Sequence, residues 1–165
     1  MMFVRTAGER DLEEIRALLV ETWHATYDAI YGAAKVTEIT EEWHSVARLK
    51  VRLTEPNSEF LVADDGEALA GMAFAKTEGE AVKLRQLYVR PAMQGRGIGG
   101  MLLDEIEGCF PEANRIVLEV EPANERAVAF YIAQGFVRTG TVTDCGRQGS
   151  GIAAAVYERP IRWAE

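Results

Sequence analysis

Soft-ligand and thiol chemistry is almost missing from this chain, which has two cysteines, Cys109 and Cys145, and two histidines, His24 and His44, in 165 residues. Neither pair has motif spacing, so a disulfide framework, a metal cluster and a thiol nucleophile are all disfavoured. Cys109 reads as a small buried hydrophobe and Cys145 as a loop thiol. Long apolar runs are missing too. None approaches the ~20 residues that span a bilayer, and Met1–Arg5 has neither a basic stretch nor a long apolar core, so the expectation is a soluble, cytoplasmic protein without membrane contact. Positive charge is in deficit. A formal charge of −8 disfavours non-specific binding to nucleic acid or anionic lipid. The same acidity suits a cationic acceptor, although it also serves solubility alone. Repeats, low-complexity stretches and linkers are absent, so residues 1–165 are expected to form one domain, large enough to bury about two thirds of its unfolded surface.

What is present is a run of strands and helices in irregular alternation. Phe3–Ala7 reads as a first strand. Glu9–Val20, with Leu12, Ile15, Leu18 and Leu19 on one face, and Thr37–Leu53, with Ile39, Trp43, Val46, Leu49 and Leu53, read as two packing helices. Trp23, Tyr27 and Tyr31 recur every four residues, the spacing of a buried stripe more often than of a substrate cage. His24 reads as a surface or capping residue, with nothing nearby in sequence to orient it. Glu59–Asp64 and Leu69–Lys76 flank the turn Asp64-Asp65-Gly66 as a hairpin. Strand Val82–Arg90 follows, then helix Ile98–Cys109, strand Arg115–Val120, helix Asn124–Gln134 closed by Gly135, and a last hairpin of Phe136–Thr143 and Ile152–Glu158 around Gly146–Gly151. The crossover from Val82–Arg90 to Arg115–Val120 is expected to be right-handed and parallel.

The richest motif is Gln94-Gly95-Arg96-Gly97-Ile98-Gly99-Gly100, between a strand and a helix. Glycines bring backbone close to a ligand, successive amides point outward and the helix dipole favours negative charge, so the loop is a cradle for an anion such as a pyrophosphate. Arg90 and Arg96 would add positive charge. Gly95, Gly97 and Gly100, with Glu119 about twenty residues on, also match the dinucleotide fingerprint. That alternative calls for an opening βαβ unit, whereas Pro91–Gln94 intervene after the strand and a hairpin precedes it.

Gln94-x-x-Gly97-x-Gly99 after Tyr88-Val89-Arg90-Pro91, followed by Leu118-Glu119-Val120 and by Asn124 with Ala129-Phe130-Tyr131-x-x-x-Gly135-Phe136, resembles the GNAT acetyltransferase superfamily. The likeness spans roughly Glu59–Arg162, is densest over Leu84–Phe136, and is weakest over Gly8–Pro56, where acceptor choice would be set. It implies an α+β fold: a central mixed, mostly antiparallel sheet with one splayed parallel strand pair and flanking helices. It also implies acetyl-CoA as co-substrate, with Gln94–Gly100 around the pyrophosphate. The backbone N–H of Val89 would polarise the thioester carbonyl, and the N–H of Leu87 would hold the acetyl or pantetheine region. Asn124 would bind the pantetheine arm, and Tyr131 would stand beside the departing sulfur. A thiol is a stronger acid than a phenol by about 2 kcal/mol, so a hydrogen bond from Tyr131 to the developing thiolate is the safer expectation than full proton transfer.

Glu119 alternates with Leu118 and Val120 on a strand expected near the sheet centre, where an uncompensated charge is costly. It is expected to face a wet cleft and to take a proton from an ammonium, directly or through water, with Glu121 or water as alternatives. Gln86 shares a face with Leu84 and Tyr88 and is expected to line the acceptor side. The resulting expectation is an N-acetyltransferase moving an acetyl group to a primary amine of a small molecule, polyamine, amino acid or protein N-terminus in a ternary complex. A homodimer is within the expected range, and no metal is called for. The alternatives are a non-catalytic acyl-CoA-binding module and a dinucleotide-dependent oxidoreductase.

Overall fold

In the computed structural model, residues 1–143 and 153–161 are described. The elements are β1 (Phe3–Thr6), α1 (Leu12–Tyr31), α2 (Ala33–Trp43), α3 (Val46–Arg52), β2 (Ser58–Asp64), β3 (Leu69–Glu78), β4 (Ala81–Val89), α4 (Ile98–Gly108), β5 (Arg115–Val120), α5 (Glu125–Ala133), β6 (Val137–Val142) and β7 (Ala154–Pro160). The seven strands form one sheet in the order β1-β2-β3-β4-β5-β7-β6. β4 and β5 are parallel, whereas β1–β2, β5–β7 and β6–β7 are antiparallel. This is the mixed α+β sheet expected from the sequence, and it is not the doubly wound parallel sheet of a dinucleotide-binding unit. The expected turn Gly146–Gly151 lies outside the described residues. No described helix is long and apolar enough to cross a membrane.

The described chain divides into two compact units, Met1–Phe74 with Gln86–Cys109, and Ala75–Arg85 with the chain from Phe110 onward. The first has its core around α1, where Leu12, Ile15, Leu18 and Leu19 are buried with Leu49, Phe60, Val62, Met72 and Phe74. Two helix boundaries differ from expectation. α1 continues to Tyr31 instead of stopping at Val20, because Trp23 and Tyr27 prolong the buried face at four-residue spacing until Gly32, at φ 85°, breaks it. Thr37–Leu53 is two helices, because His44 leaves helical geometry (φ −123°) and the Ser45 hydroxyl accepts the Arg48 N–H at 3.2 Å to start α3. Ahead of α1, Asp11 accepts two guanidinium bonds from Arg5 (2.8 and 2.9 Å) and the Gly8 N–H (2.8 Å). The Arg5 bonds hold the Asp11 carboxyl below the usual carboxylate range.

In the second unit β5 is paired on both sides. Its parallel ladder runs from Ala81↔Arg115 to Leu84↔Leu118, and its antiparallel ladder from Arg115↔Pro160 to Val120↔Ala155. Ile116, Leu118 and Val120 are buried and Val117 and Glu119 only partly so, the period-two pattern of a strand with one dry face. α5 ends in a left-handed Gly135 (φ 90°), with the Phe136 N–H returning to the Tyr131 carbonyl at 3.0 Å.

Candidate functional site

The loop ahead of α4 has the geometry of an anion cradle. Pro91–Met93 make one 3-10 turn after β4, and Gly95 (φ 80°) and Gly97 (φ 81°, ψ 7°) then take left-handed conformations that side chains resist. Gly97 is the N-cap of α4, and the first helical bond runs from the Met101 N–H to the Gly97 carbonyl at 3.1 Å. The amides of Ile98, Gly99 and Gly100 therefore stand in the first turn, where an α-helix has no internal acceptor for them. Among the described residues, a Cβ built on Gly95 or Gly97 meets nothing within 4 Å, so the space over the turn is open. Arg96 is exposed beside it. Arg90 is committed elsewhere, contrary to its expected part in the cradle: its NH1 binds Glu21 at 2.8 Å and its Nε the Leu69 carbonyl at 3.2 Å. Gln94 braces the strand end, donating from Nε2 to the Val89 carbonyl at 3.0 Å.

Val89 and Leu87, the expected oxyanion and pantetheine contacts, are half-buried at the C-terminal end of β4. They lie beyond the parallel register with β5, which covers Ala81–Leu84. The same strand end presses on β3: a Cβ on Gly71 would lie 2.8 Å from the Tyr88 carbonyl oxygen, 3.1 Å from Leu102 and 3.5 Å from the Val89 Cα. Gly71 thus permits close backbone approach beside Val89. Sequence reasoning passed over it, although a glycine inside a strand pattern is the usual sign of such an approach.

In the second unit the expected catalytic side chains all have structural employment. Glu119 is ion-paired with Lys83 on the parallel neighbour, its side chain only 15% exposed. The expected open, water-facing acid is therefore a partly buried carboxylate already facing a cation, and Lys83 went unnoticed because cross-strand neighbours appear only once register is known. Asn124 is the N-cap of α5, its Oδ1 accepting the Ala127 N–H at 3.2 Å. Tyr131 is buried between Phe130 and Phe136, with ring centroids 5.2 and 5.5 Å away at near-perpendicular angles.

Gln86 is buried and double-bonded rather than lining an open face. Its Oε1 accepts Arg52 NH1 at 2.8 Å and its Nε2 stands 3.2 Å from His44 Nδ1, while Arg52 NH2 also binds the Trp43 carbonyl at 2.9 Å. Burial, with Arg52 as the next cause, pushes His44 down to about 3, so the ring is neutral. His24, read as unoriented, is oriented after all: Asp28 meets its Nδ1 at 2.6 Å across one helical turn, and Thr37 Oγ1 lies 3.4 Å from its Nε2. Cys109 ends α4, and burial raises its thiol to about 11, far from nucleophilic form at neutral pH.

The described elements thus build a seven-stranded mixed sheet with one parallel pair, whose connecting helix α4 opens at a left-handed glycine. The chain belongs to the acetyltransferase (GNAT) family, whose model matches residues 12–136. It is 35% identical over 92 residues to the N-alpha-acetyltransferase RimI of Mycobacterium tuberculosis, covering 53% of this chain and 58% of that protein. It is 27% identical over 139 residues to a spermidine N(1)-acetyltransferase of Thermoplasma acidophilum, covering 81% and 86%. Its fold is like that of the crystal structure of PaiA N-acetyltransferase from Thermoplasma acidophilum in complex with coenzyme A, with TM-score 0.85 and 24% identity over 97% of this chain and 99% of that one.

Proposed function

We propose that the protein transfers an acetyl group from acetyl-CoA to a primary amine in the cytoplasm, by direct attack in a ternary complex. The observation that carries this reading is the pair of left-handed glycines opening α4 under open space, Gly95 and Gly97, in a chain of the acetyltransferase family. The pyrophosphate would take the amides from Arg96 to Gly100, with Gln94 keeping the strand end in place. The Val89 N–H would meet the thioester oxygen, Leu87 and Asn124 the pantetheine arm. The acceptor ammonium would give its proton to Glu119, directly or through water. The freed nitrogen would attack the carbonyl carbon, the carbon–sulfur bond would break with the electron pair leaving on sulfur beside the Tyr131 hydroxyl, and the second nitrogen proton would pass to that sulfur or to water as the amide forms. The Lys83 ion pair adds a step to this sequence: a cationic acceptor must displace Lys83 or share the carboxylate with it.

One set of observations favours a second reading, an acyl-CoA-binding module without turnover. Glu119, Asn124 and Tyr131 each hold structure in place, as ion-pair partner, helix cap and packed ring. Calorimetric titration with acetyl-CoA, run beside a thiol-release assay on a panel containing spermidine, single amino acids and short peptides, separates the two. Binding with release supports the transferase, binding without release on any acceptor supports the module, and absence of binding overturns both.

A further inference from the structure

Arg90, the first residue past β4, is fastened to the first unit at three points. Its backbone N–H donates to the Ala70 carbonyl at 2.7 Å, its Nε to the Leu69 carbonyl at 3.2 Å and its NH1 to Glu21 Oε2 at 2.8 Å. Leu69 is held at its other backbone group as well, its N–H donating to Glu14 Oε2 at 2.6 Å. Glu14 and Glu21 stand seven residues apart on α1, two turns and so nearly one face. The helix that carries the core of this unit is thereby tied, through two carboxylates and one guanidinium, to the start of β3 and the end of β4. Gly71 lets the two strands approach there, and Arg90 fastens them.

That strand end carries the backbone group on which the proposed transfer depends. The parallel register of β4 stops at Leu84, and a strand end paired along one edge frays more readily than one paired along both. Successive amides of a strand point to opposite edges, and the Arg90 N–H points to β3, so the Val89 N–H points away from it. An oxyanion donor acts at about 2.7–3.1 Å from the developing charge, and a misplacement of ~1 Å can cost about 10²-fold in rate. Stability depends on the contact much less. The Arg90 side chain is 26% and that of Glu21 45% exposed, and an ion pair open to water contributes little to folding.

We propose that Arg90 is a positioning residue for acetyl transfer. Braced on Glu21 and on the Leu69 carbonyl, it fixes the end of β4 so that the Val89 N–H stays where the thioester oxygen arrives. Its charge is directed at Glu21 and not at the pyrophosphate. This rests on the acetyltransferase reading above and on the part given there to Val89.

The test measures kcat, KM for acetyl-CoA, the CoA dissociation constant and the urea midpoint of the whole chain, with thiol release followed on the acceptor panel above. Arg90→Met removes every side-chain donor and keeps an unbranched stem, and kcat should fall about tenfold or more while KM, CoA affinity and the urea midpoint are little changed. Glu21→Gln weakens the same brace from the helix side, and kcat should fall about threefold. Lys50→Met breaks the exposed Lys50–Glu9 pair (3.0 Å) of the same unit and should keep full turnover. An unchanged kcat in Arg90→Met overturns the proposal; if that variant is unfolded under the assay conditions, an unchanged kcat in Glu21→Gln does so. A rise in the CoA dissociation constant equal to the fall in kcat overturns it by making Arg90 an anion-binding residue, and a comparable loss in Lys50→Met by making the effect general. The unsubstituted chain tests the other reading by itself. Thiol release from it, matched by Arg90→Met, fails the positioning role alone, whereas no release on any acceptor fails the acetyltransferase reading and the positioning role with it.

Discussion

The two units carry their chemistry on different parts of the chain. At the head of α4 the groups proposed to face the ligand are backbone amides, preceded by two left-handed glycines over open space, and no side chain is needed to make them. On β5 and α5 the candidate groups are side chains, and each is also a structural member: Glu119 pairs with Lys83, Asn124 caps its helix and Tyr131 is wedged between two phenylalanines. Main-chain chemistry can be disturbed with the fold left standing, whereas side-chain chemistry of this kind confounds function with stability. Substitutions should therefore be chosen to delete one atom's role and keep its volume.

Glu119→Gln tests that difference most severely. The amide keeps the shape and loses the base, and kcat should fall about 10²-fold or more while acetyl-CoA affinity is little changed. Lys83→Met sharpens the result. Removing the competing cation should lower KM for a cationic acceptor, a change that a purely structural ion pair would not produce. Full turnover of Glu119→Gln across the pH range would pass the base to Glu121 or to water.

Gly97→Val is the matching experiment on the backbone. A Cβ there meets nothing within 4 Å among the described residues beyond its chain neighbours, so the main cost to the fold is the strain of a branched residue at φ 81°, on the order of 1–3 kcal/mol. The ligand's place is crowded, and CoA affinity should fall about a hundredfold. An unchanged dissociation constant in a folded variant removes the pyrophosphate from this turn. Tyr131→Phe should do less. Ring packing is retained and one hydroxyl lost, so single-turnover rates should drop about 10²-fold or less with CoA affinity kept, because a hydrogen bond to sulfur strengthens only as charge develops there. Equal turnover with weakened CoA binding would make Tyr131 a packing residue.

The same division governs how much the sequence discloses. The glycine turn was legible because glycine spacing writes backbone conformation directly, and Gly95 and Gly97 take the positive φ that their pattern requires. The mixed sheet was legible from hairpin signals and from the crossover between β4 and β5. What stayed hidden depends on neighbours distant in sequence. Lys83 reaches Glu119 only through the parallel register, and Gly71 meets Tyr88 only where β3 lies against the end of β4. Arg52, Gln86 and His44 are brought together across 42 residues of chain. The break at His44–Ser45 also went unread, since Thr37–Leu53 keeps its apolar period through it and a serine cap competes only weakly with such a pattern.

The smallest expected effect asks whether the first unit has a side-chain dependence of its own, and pH is the lever. His44 lies about 3 when folded against an ordinary 6.5, mainly through burial and then through Arg52, with a hydrogen bond to the Trp43 backbone opposing the shift and Arg16 adding a smaller repulsion. Above pH 6.5 the ring is neutral in both states and costs nothing. Below it the unfolded chain takes up a proton that the folded chain refuses, so stability is lost as pH falls from 6.5 toward 3, at up to about 1.4 kcal/mol per pH unit. His44→Phe cannot take up that proton. Its own cost, from leaving the Gln86 amide without its ring partner, is constant with pH. Urea midpoints converted to free energies at pH 7 and pH 5 should therefore show the wild-type advantage over His44→Phe shrinking by about 2 kcal/mol between the two. A difference that stays constant would mean that His44 takes up its proton as readily in the folded chain as in the unfolded one.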